Sequence, residues 1–388
     1  MSTNGGLLQL VAKGSEDKFL SENESVNKFT HSISKHSNYA RQPIKRQFTS
    51  QSKNGSVASV IVPRVSDMLH KVYLHCTVEW ECSNDADKID WTKIDKKVNY
   101  ETFFKEASFS VNGQTLQTIY GDTSAVFDKF HGSFLNFNTS LIPDKTFSNG
   151  GTSNSVTLSC YIPINFWFTS SLSQSFPLIA LVHQQVKIDV EIASKKPWIV
   201  PTTTGTTTLI PTITKSDIIF DMIYLDTEQR KLIATAPEHK MLIHQYQRNS
   251  ASIVGTATRT PLFFKHPVTA LLWRLLNENN ESQEILNCRL EANGIDFTES
   301  LDSAYFKYIQ NYQSFNNKDI AKLGFHIQSF STSPLGSQPK GSINFSRLDK
   351  VIIHTNTLST ISGSRLDIIA ISYNIVLLKN GMCGLLWH

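Results

Sequence analysis

The side chains in this chain best suited to metal chemistry are two pairs of histidines. His239 and His244 have four residues between them, and His70 and His75 have the same spacing. A helical zinc-hydrolase site needs two histidines at i and i+4 with a glutamate beside the first, so neither pair has the HExxH pattern. No HxH motif with a following glutamate occurs. The sequence therefore predicts no metal centre, and we expect no cofactor.

A glycine pair that resembles a phosphate-binding loop begins at Gly336 in the segment GSQPKGS. Ser342 stands where a P-loop requires lysine, and no GxGxxG motif is present. No GxSxG nucleophile elbow occurs, and no cysteine has the neighbourhood of an activated thiolate. The acids Asp85, Asp87 and Asp90 belong to a charged loop, which favours solvation over catalysis. We therefore expect no enzymatic activity.

Composition describes a globular chain of two domains. The 388 residues are 40% hydrophobic and 18% charged, and the length exceeds that at which one core stops growing. A net charge of +4 is too mild to indicate sequence-specific nucleic-acid binding. No apolar run is long enough to span a bilayer, and the N-terminus lacks the basic region of a signal peptide. The five cysteines have no CxxC spacing, which favours reduced thiols: Cys76, Cys82, Cys160, Cys288 and Cys383.

The elements that could position any site are short alternating strands. In VKIDVEI, Val186, Ile188, Val190 and Ile192 share one face, and the charged residues between them face the other way. KVYLHCTVEW and VTLSCYIPI alternate in the same manner, while IIAISYNIVLL alternates less cleanly, which suits a strand covered on both faces. One wet and one dry side is typical of an antiparallel sandwich.

One block of sequence occurs twice. ASFSVNGQTLQTIYGDTSAVFDKF is centred on Asn112-Gly113, and CRLEANGIDFTESLDSAYFKYI is centred on Asn293-Gly294, 181 residues later. Asn-Gly between alternating strands predicts a two-residue hairpin, because both turn residues need positive φ. A repeat distance this long indicates two similar domains in tandem.

Short helices follow the hairpins. Asp122 and Asp302 are predicted N-caps of helices in the two copies, and Asp226 is a third predicted N-cap, with Gln229 completing a capping-box pattern. The segments starting at Asp217 (DIIFDMIYLD) and Asp367 (DIIAISYNIV) are similar, and each would close its own domain. The predicted organisation is an N-terminal arm (1–26), a first domain (27–226) and a second domain (227–388).

A basic stretch lies near the N-terminus. From Ser25 to Ser66 there is no acidic residue, and seven residues are basic: Lys28, Lys35, Arg41, Lys45, Arg46, Lys53 and Arg64. Two alternatives stay open. The stretch is solvated or paired locally, or it presents a positive face to an acidic partner or anionic lipid.

Several segments resemble the double jelly-roll major capsid proteins of nucleocytoplasmic large DNA viruses, including the chlorella viruses and iridoviruses. They occur in family order over nearly the full length: GGLLQLVAKGSEDKFLSEN at the start, INFWFTSSLSQSFPLIALVHQQVKIDVEI, IYLDTEQRK, SQPKGSINFSRLDK, and SYNIVLLKNGMCGLLWH near the end. The chain is shorter than typical members, and Cys383-Gly384 stands where the family has Gly-Gly.

The resemblance implies an all-β fold of two tandem eight-stranded antiparallel jelly-roll barrels with a few short helices. It further implies a structural capsid subunit that forms a homotrimer, with six lobes giving a pseudo-hexameric capsomer that tiles an icosahedral shell. The expected partners are neighbouring capsomers, minor capsid proteins and, through the basic stretch, an internal viral membrane. The protein would be part of the virion and be assembled in the host cytoplasm.

A different class of function is a tandem β-sandwich that binds glycans, because jelly rolls also form lectins. This alternative predicts an exposed aromatic cluster at a loop rim and a monomer or dimer. The capsid interpretation predicts a stable trimer.

Overall fold

The computed structural model of the chain describes residues 36–50, 53–82, 100–131, 155–194, 198–201, 206–277, 282–315 and 320–387, together with Leu8, Val11 and Ala12. Contacts divide the chain into two units, Met1–Asn38 and Tyr39–His388. In the first unit, Leu8 and Val11 are helical and exposed, and the Ala12 amide donates to the Leu8 carbonyl. The rest of the predicted arm lies outside the described residues, as do residues 83–99, which include Asp85, Asp87 and Asp90 of the charged loop.

The second unit begins with a lobe that has ten strands in its described residues, and we call it the first lobe. Its strands are β1 (Tyr39–Gln47), β2 (Val57–Ile61), β3 (Met68–Cys82), β4 (Phe104–Val111), β5 (Gln114–Tyr120), β6 (Ser155–Pro163), β7 (Phe176–Pro177), β8 (Val186–Ile192), β9 (Trp198–Pro201) and β10 (Thr206–Leu225). Helix α1 (Gly121–His131) follows β5, and helix α2 (Thr227–Thr235) follows β10.

The first lobe consists of two antiparallel sheets. One has the order β1-β10-β3-β6, and the other has the order β2-β8-β4-β5. Strands that are neighbours in space are distant in sequence, since β1 pairs with β10 and β2 pairs with β8. This is the strand order of an eight-stranded jelly roll, with β7 and β9 as short additions.

The second lobe contains the remaining strands: β11 (Glu238–Leu262), β12 (Pro267–Leu276), β13 (Ser282–Gln283), β14 (Asn287–Ala292), β15 (Ile295–Asp296), β16 (Leu301–Asp302), β17 (His326–Ser329), β18 (Ile343–Asn344), β19 (Val351–Lys379) and β20 (Met382–Leu385). A π-helical turn, Tyr305–Ile309, leads into helix α3 (Gln310–Ser314).

The second lobe repeats the strand order of the first. The first part of β11 pairs with the last part of β19, which pairs with β12, which pairs with β17. This series corresponds to β1-β10-β3-β6. The last part of β11 pairs with the first part of β19, which pairs with β14, which pairs with β15, and this series corresponds to β2-β8-β4-β5. Here β11 and β19 each serve both sheets, whereas the first lobe uses separate strands.

The alternating pattern of each segment explains its burial. Val186, Ile188, Val190 and Ile192 of β8 are buried, and Lys187 between them is exposed. Val72, Leu74, Cys76 and Val78 line the dry face of β3. The side chains of Trp80, Val156 and Leu158, predicted on the same faces, lie outside the described residues. Residues Ile368–Asn374 of β19 are buried on both faces, as predicted, and Ile368 and Ala370 enter one core while Ile369 and Ile371 enter the other. Farther along the strand, Ile375 and Leu377 are only partly buried.

The boundary predicted at 226/227 does not coincide with the division of contacts at 38/39. Both lobes fall in one unit, because the core of the first lobe continues into residues of the second. The boundary between the barrels therefore stays a prediction. Among the helices of the described part, none is long and apolar enough to cross a membrane.

Candidate functional site

The candidate site is the contact between the two lobes, which share one hydrophobic core. Apolar side chains of the second lobe join the core of the first: Ile243, Tyr246, Ala270, Leu272, Phe315, Ile320, Phe325, Ile327, Leu335, Ile369, Ile371, Val376, Leu378 and Cys383. The rings of Phe130, at the end of α1, and Phe315 meet edge to face with centroids 5.6 Å apart. Burial of this surface stabilises the pair of lobes as a single body.

Two glutamines fix the alignment of β5 against β11. Gln117 on β5 donates from Nε2 to the His244 carbonyl (2.5 Å), and its Oε1 accepts from the Trp167 amide (3.1 Å). Gln245 on β11 donates from Nε2 to the Leu116 carbonyl (2.8 Å). Each side chain thus bonds a backbone carbonyl of the opposite lobe.

An ion-pair cluster crosses the contact beside these glutamines. Asp122 of α1 accepts from Arg274 of β12 (2.8 Å) and lies 3.3 Å from Arg248 of β11. Arg274 also binds Glu101 of the first lobe (3.0 Å), and Arg248 binds Asp367 of β19 (2.5 Å). The cluster borders a cleft of about 690 Å³ between the lobes. Asp122 and Glu101 of the first lobe thus pair with arginines of the second lobe, and these crossing charges hold the two lobes in one orientation.

Burial and pairing act in opposite directions on these acids. Desolvation raises the pKa of Asp122 above its ordinary value, although Arg274 and Arg248 counteract it. Desolvation also acts to raise the pKa of Asp367, but hydrogen bonding from Ser250 and the charge and hydrogen bond of Arg248 leave it lowered. Asp122 therefore depends on the arginines of the second lobe for the stability of its charge.

The C-terminal hairpin makes a second contact with the first lobe. Gly381, at the turn between β19 and β20, has φ 74°, and its carbonyl accepts from the Val182 amide (3.1 Å). A Cβ at this glycine would lie 2.3 Å from Cγ2 of Val182. Gln184 accepts from the Cys383 amide (2.6 Å). The hairpin needs glycine here for both its backbone conformation and its close approach.

The predicted turn residues lie at matching positions in the two lobes. Asn112 (φ 49°) and Gly113 (φ 86°) connect β4 to β5, while Asn293 (φ 51°) and Gly294 (φ 80°) connect β14 to β15. All four have the positive φ of a type I′ turn. The Asn293 side chain also accepts from the amides of Asp349 and Lys350, which locks the turn to the start of β19.

The three predicted caps differ in their surroundings. Asp226 precedes α2 and accepts from the Thr227 amide (2.8 Å), and Asp302 accepts from the Ala304 amide (2.7 Å) at the start of its helical segment. Asp122 differs from the prediction, because α1 begins at Gly121 and Asp122 is its second residue. Its Oδ1 accepts from the adjacent Thr123 amide, but its Oδ2 is directed to the arginines of the second lobe.

The arginines of the cluster were not singled out by the sequence patterns. Arg274 occurs in the apolar run TALLWRLL, and a lone charge in such a run indicates a buried pair. Arg248 carries no comparable local signal, since its neighbours on β11 are polar. Its partner Asp122 lies 126 positions away in the sequence.

The histidines and cysteines are separate from one another. His70 lies 3.3 Å from the Phe168 carbonyl, His75 lies 2.8 Å from the Ser159 hydroxyl, and His239 lies 2.8 Å from the Ile233 carbonyl. Within the described residues, no group of three or more His, Cys, Asp or Glu side chains could hold a metal ion. Burial raises the pKa of the free thiols of Cys160 (to about 11) and Cys288 (to about 12), which disfavours the reactive thiolate.

Two jelly rolls of the same strand order, packed together in a single chain, form a double jelly-roll fold. A family model for the N-terminus of major capsid proteins matches residues 27–227, and a model for the major capsid protein of large eukaryotic DNA viruses matches residues 228–384. The chain therefore belongs to the major capsid protein family of large eukaryotic DNA viruses. It is a structural component of the virion.

Two similar proteins match over nearly their whole length. The chain is 26% identical to the major capsid protein of Pyramimonas orientalis virus, covering 98% of both chains, and 23% identical to that of Paramecium bursaria Chlorella virus 1, covering 98% of this chain and 99% of the relative. The fold matches PBCV-1 VP54 fitted into a reconstruction of the virophage Sputnik, with TM-score 0.76 and 20% identity over 93% of this chain and all of that one. The Faustovirus major capsid protein matches with TM-score 0.69 and 13% identity over 96% of both chains.

Proposed function

We propose that three copies of this chain associate into a cyclic homotrimer that serves as a pseudo-hexameric capsomer of an icosahedral shell. The observation that carries the proposal is the contact between two lobes of the same strand order within one chain. Three such chains supply six similar lobes, so threefold symmetry can fill a six-coordinated lattice position. An obligate contact of this kind buries about 2,000–5,000 Å² per interface.

The proposed organisation has three parts. Residues 1–26 are an arm, residues 27–226 form the first jelly roll, and residues 227–388 form the second. The segment between the lobes contains α2, whose Asp226 cap and Arg230–Asp67 ion pair (3.1 Å) support a fixed connection. We infer structural roles for the turn residues Asn112 and Asn293, with their glycines Gly113 and Gly294, and for the cap residue Asp302.

The arm and basic stretch are proposed to face the inside of the shell, toward minor capsid proteins and an internal viral membrane. Arg41 pairs with Asp221, Lys45 pairs with Asp217, and Arg64 donates to backbone carbonyls. These three charges are partly used within the chain. Attraction to anionic lipid would therefore rest mainly on the other basic residues of the stretch: Lys28, Lys35, Arg46 and Lys53. We propose no sequence-specific contact with nucleic acid.

We further propose that the protein is not an enzyme, and that it assembles with neighbouring capsomers in the host cytoplasm. The ionisable groups of the inter-lobe cleft support a structural role, because Asp122, Arg248 and Arg274 are already paired with one another. The glycan-binding alternative is not favoured, since the family and the similar proteins are capsid proteins.

Light scattering coupled to size-exclusion chromatography tests the proposal. The capsomer predicts a mass of three chains that is stable to dilution. A mass of one or two chains at micromolar concentration, with binding to a glycan array, would support the glycan-binding alternative instead.

Deletion of residues 1–24 tests the role of the arm separately. The truncated protein should keep the mass of three chains and lose its assembly onto inner partners in infected-cell extracts. A truncated protein with the mass of one chain would show that the arm contributes to the trimer contact.

A further inference from the structure

The duplicated hairpin-and-helix block is buried in the first lobe and exposed in the second. In the first lobe, Leu116 on β5 is 0% exposed and the first eight residues of α1 are buried, and Asp122 and Phe130 of this helix contact the second lobe. The corresponding surface of the second lobe, which we call the helix face, exposes five large apolar side chains: Ile295 (73%), Phe297 (46%), Tyr308 (57%), Ile309 (46%) and Tyr312 (69%). Large apolar side chains left exposed along one structural block indicate an interaction site.

The opposite asymmetry occurs on the strands that cover the block. In the second lobe, His244 and Tyr246 on the outward side of β11 are buried against the first lobe. The same register in the first lobe contains Arg41 and Pro43 on β1, and both are exposed. We call the outward side of β1 the strand face, formed by Tyr39, Arg41, Pro43 and Lys45. Each lobe thus has one face of the same contact left over.

Charges on the two exposed faces match those of the contact within the chain. On β1, Lys45 is two residues before Gln47, which pairs with Asp217 of β10. On β11, Arg248 is likewise two residues before Ser250, which pairs with Asp367 of β19. Lys45 binds Asp217 (2.8 Å), as Arg248 binds Asp367 (2.5 Å). Asp302 of the helix face corresponds to Asp122 and is exposed. A cation and an anion are therefore left at the positions that pair in the contact within the chain.

We propose that the helix face of one copy contacts the strand face of the next copy, with Asp302 of one chain beside Lys45 of the other. This inference rests on the proposed trimer and names the surfaces that build it. The contact is head to tail, because it joins two different surfaces. Repeating one such contact closes a ring when each copy is rotated by one third of a turn from the last. Around a ring of three copies, the contact between chains then alternates with the contact between the two lobes of each chain.

The contact between chains is more polar than the contact within the chain. Asp221, which pairs with Arg41, occupies the strand position that Ile371 occupies in the second lobe. Arg41 occupies the position equivalent to His244. The strand face of a free subunit therefore carries the pair of exposed Arg41 and buried Asp221 where the second lobe has His244 and Ile371. This difference keeps the subunit soluble before assembly, while the tyrosines and Ile309 supply the apolar part of the contact.

Two exposed double variants test the inference. Tyr308→Glu with Tyr312→Glu changes the helix face, and Tyr39→Glu with Pro43→Glu changes the strand face. Val254→Glu is the matched control, because Val254 is 75% exposed and belongs to neither face. We expect three chains by light scattering for the wild-type protein and for the control, and one chain for each double variant. Circular dichroism and an unchanged cooperative melt confirm that the variants fold.

A mixture of the two double variants tests the head-to-tail arrangement. Each variant keeps one intact face, so an equimolar mixture should form a 1:1 pair of two chains that cannot close. Trimeric double variants, or a mixture that stays at one chain or forms trimers, would overturn the contact alone. A wild-type protein of one chain would overturn the proposed trimer and the contact together.

Discussion

Asp122 in the first lobe accepts a hydrogen bond of 2.8 Å from Arg274 in the second lobe, and both side chains are largely buried. The two residues are 152 positions apart in the sequence and belong to different barrels. Arg248 adds a second positive charge at 3.3 Å from the same carboxylate. This cluster fixes the orientation of one lobe relative to the other. The proposed capsomer requires a fixed orientation, because its six lobes must be similarly arranged around the ring.

Asp122→Ala should destabilise the protein strongly. Among the described residues, the substitution leaves Glu101 as the acid beside Arg274 and removes one of two acids from Arg248, so buried positive charge is left in excess. We expect a loss of about 3 kcal/mol in the free energy of unfolding, measured by urea denaturation. Asp302→Ala is the matched control in the corresponding position, where the carboxylate is exposed. At subunit concentrations below trimer formation it should cost about 1 kcal/mol, as for a helix cap. Equal effects of the two substitutions would contradict the role of Asp122 in joining the lobes.

Gly381→Ala should weaken the contact of the C-terminal hairpin. The alanine would have to adopt a φ of 74°, and its Cβ would lie 2.3 Å from Cγ2 of Val182, so both backbone strain and steric overlap disfavour the substitution. Gly55→Ala is the control for strain alone, because φ there is 75° and no atom lies within 4 Å of the added Cβ. We expect about 1 kcal/mol for the control and about 2 kcal/mol more at Gly381. Adding Val182→Ala should recover part of the difference, and equal melting temperatures for the two glycine variants would argue against the close approach.

Asn112→Val and Asn293→Val should each damage folding, because a β-branched residue resists positive φ. We expect about 1–2 kcal/mol for the backbone at each site. Substitution by glycine, which tolerates positive φ, distinguishes the roles of the two asparagine side chains. Asn112→Gly should be nearly neutral, whereas Asn293→Gly removes the acceptor for the Asp349 and Lys350 amides and should cost about 1 kcal/mol more. Thermal melts of the four variants measure these differences, and a tolerated valine at either site would be evidence against the tight turn.

Stability should fall as the pH decreases from about 7 toward 4. Burial lowers the pKa of His244 and of His326 from 6.5 to about 4, so both rings are neutral in the folded protein. Below pH 6.5 the unfolded chain binds protons that the folded chain does not, and the free energy of unfolding decreases until the folded rings titrate near pH 4. Each histidine contributes up to about 3 kcal/mol to this loss. His326→Gln should reduce the slope of unfolding free energy against pH in this window, and an unchanged slope would contradict the assignment.

Much of the fold follows from local patterns in the sequence. Two-residue alternation identifies β3 and β8, because a sheet with one dry face imposes that period. Asn-Gly at 112–113 and 293–294 marks the corresponding hairpin of each lobe, since the turn demands positive φ. The apolar segment of β19 indicates cover on both faces, and the second lobe's position beside the first explains it.

The contact between the lobes could not be predicted in the same way. Asp122 has the local sequence of a helix cap, and only the packing of β11 and β12 against α1 directs its carboxylate to two arginines. The exposure of Tyr308 and Tyr312 likewise depends on what lies beside the second lobe, although their block resembles the buried one. The strands equivalent to β8 and β10 are continuous in β19, and no local pattern predicts this, because the sequence that connects them is compatible with either a strand or a loop.

Cryo-electron microscopy of the purified protein tests the central claim most directly, because end-on averages count both chains and lobes. The account predicts a ring of six similar lobes built from three chains, with two kinds of contact alternating around it. A particle of one or two chains, or a trimer whose lobes are unrelated by the pseudo-sixfold rotation, would contradict it.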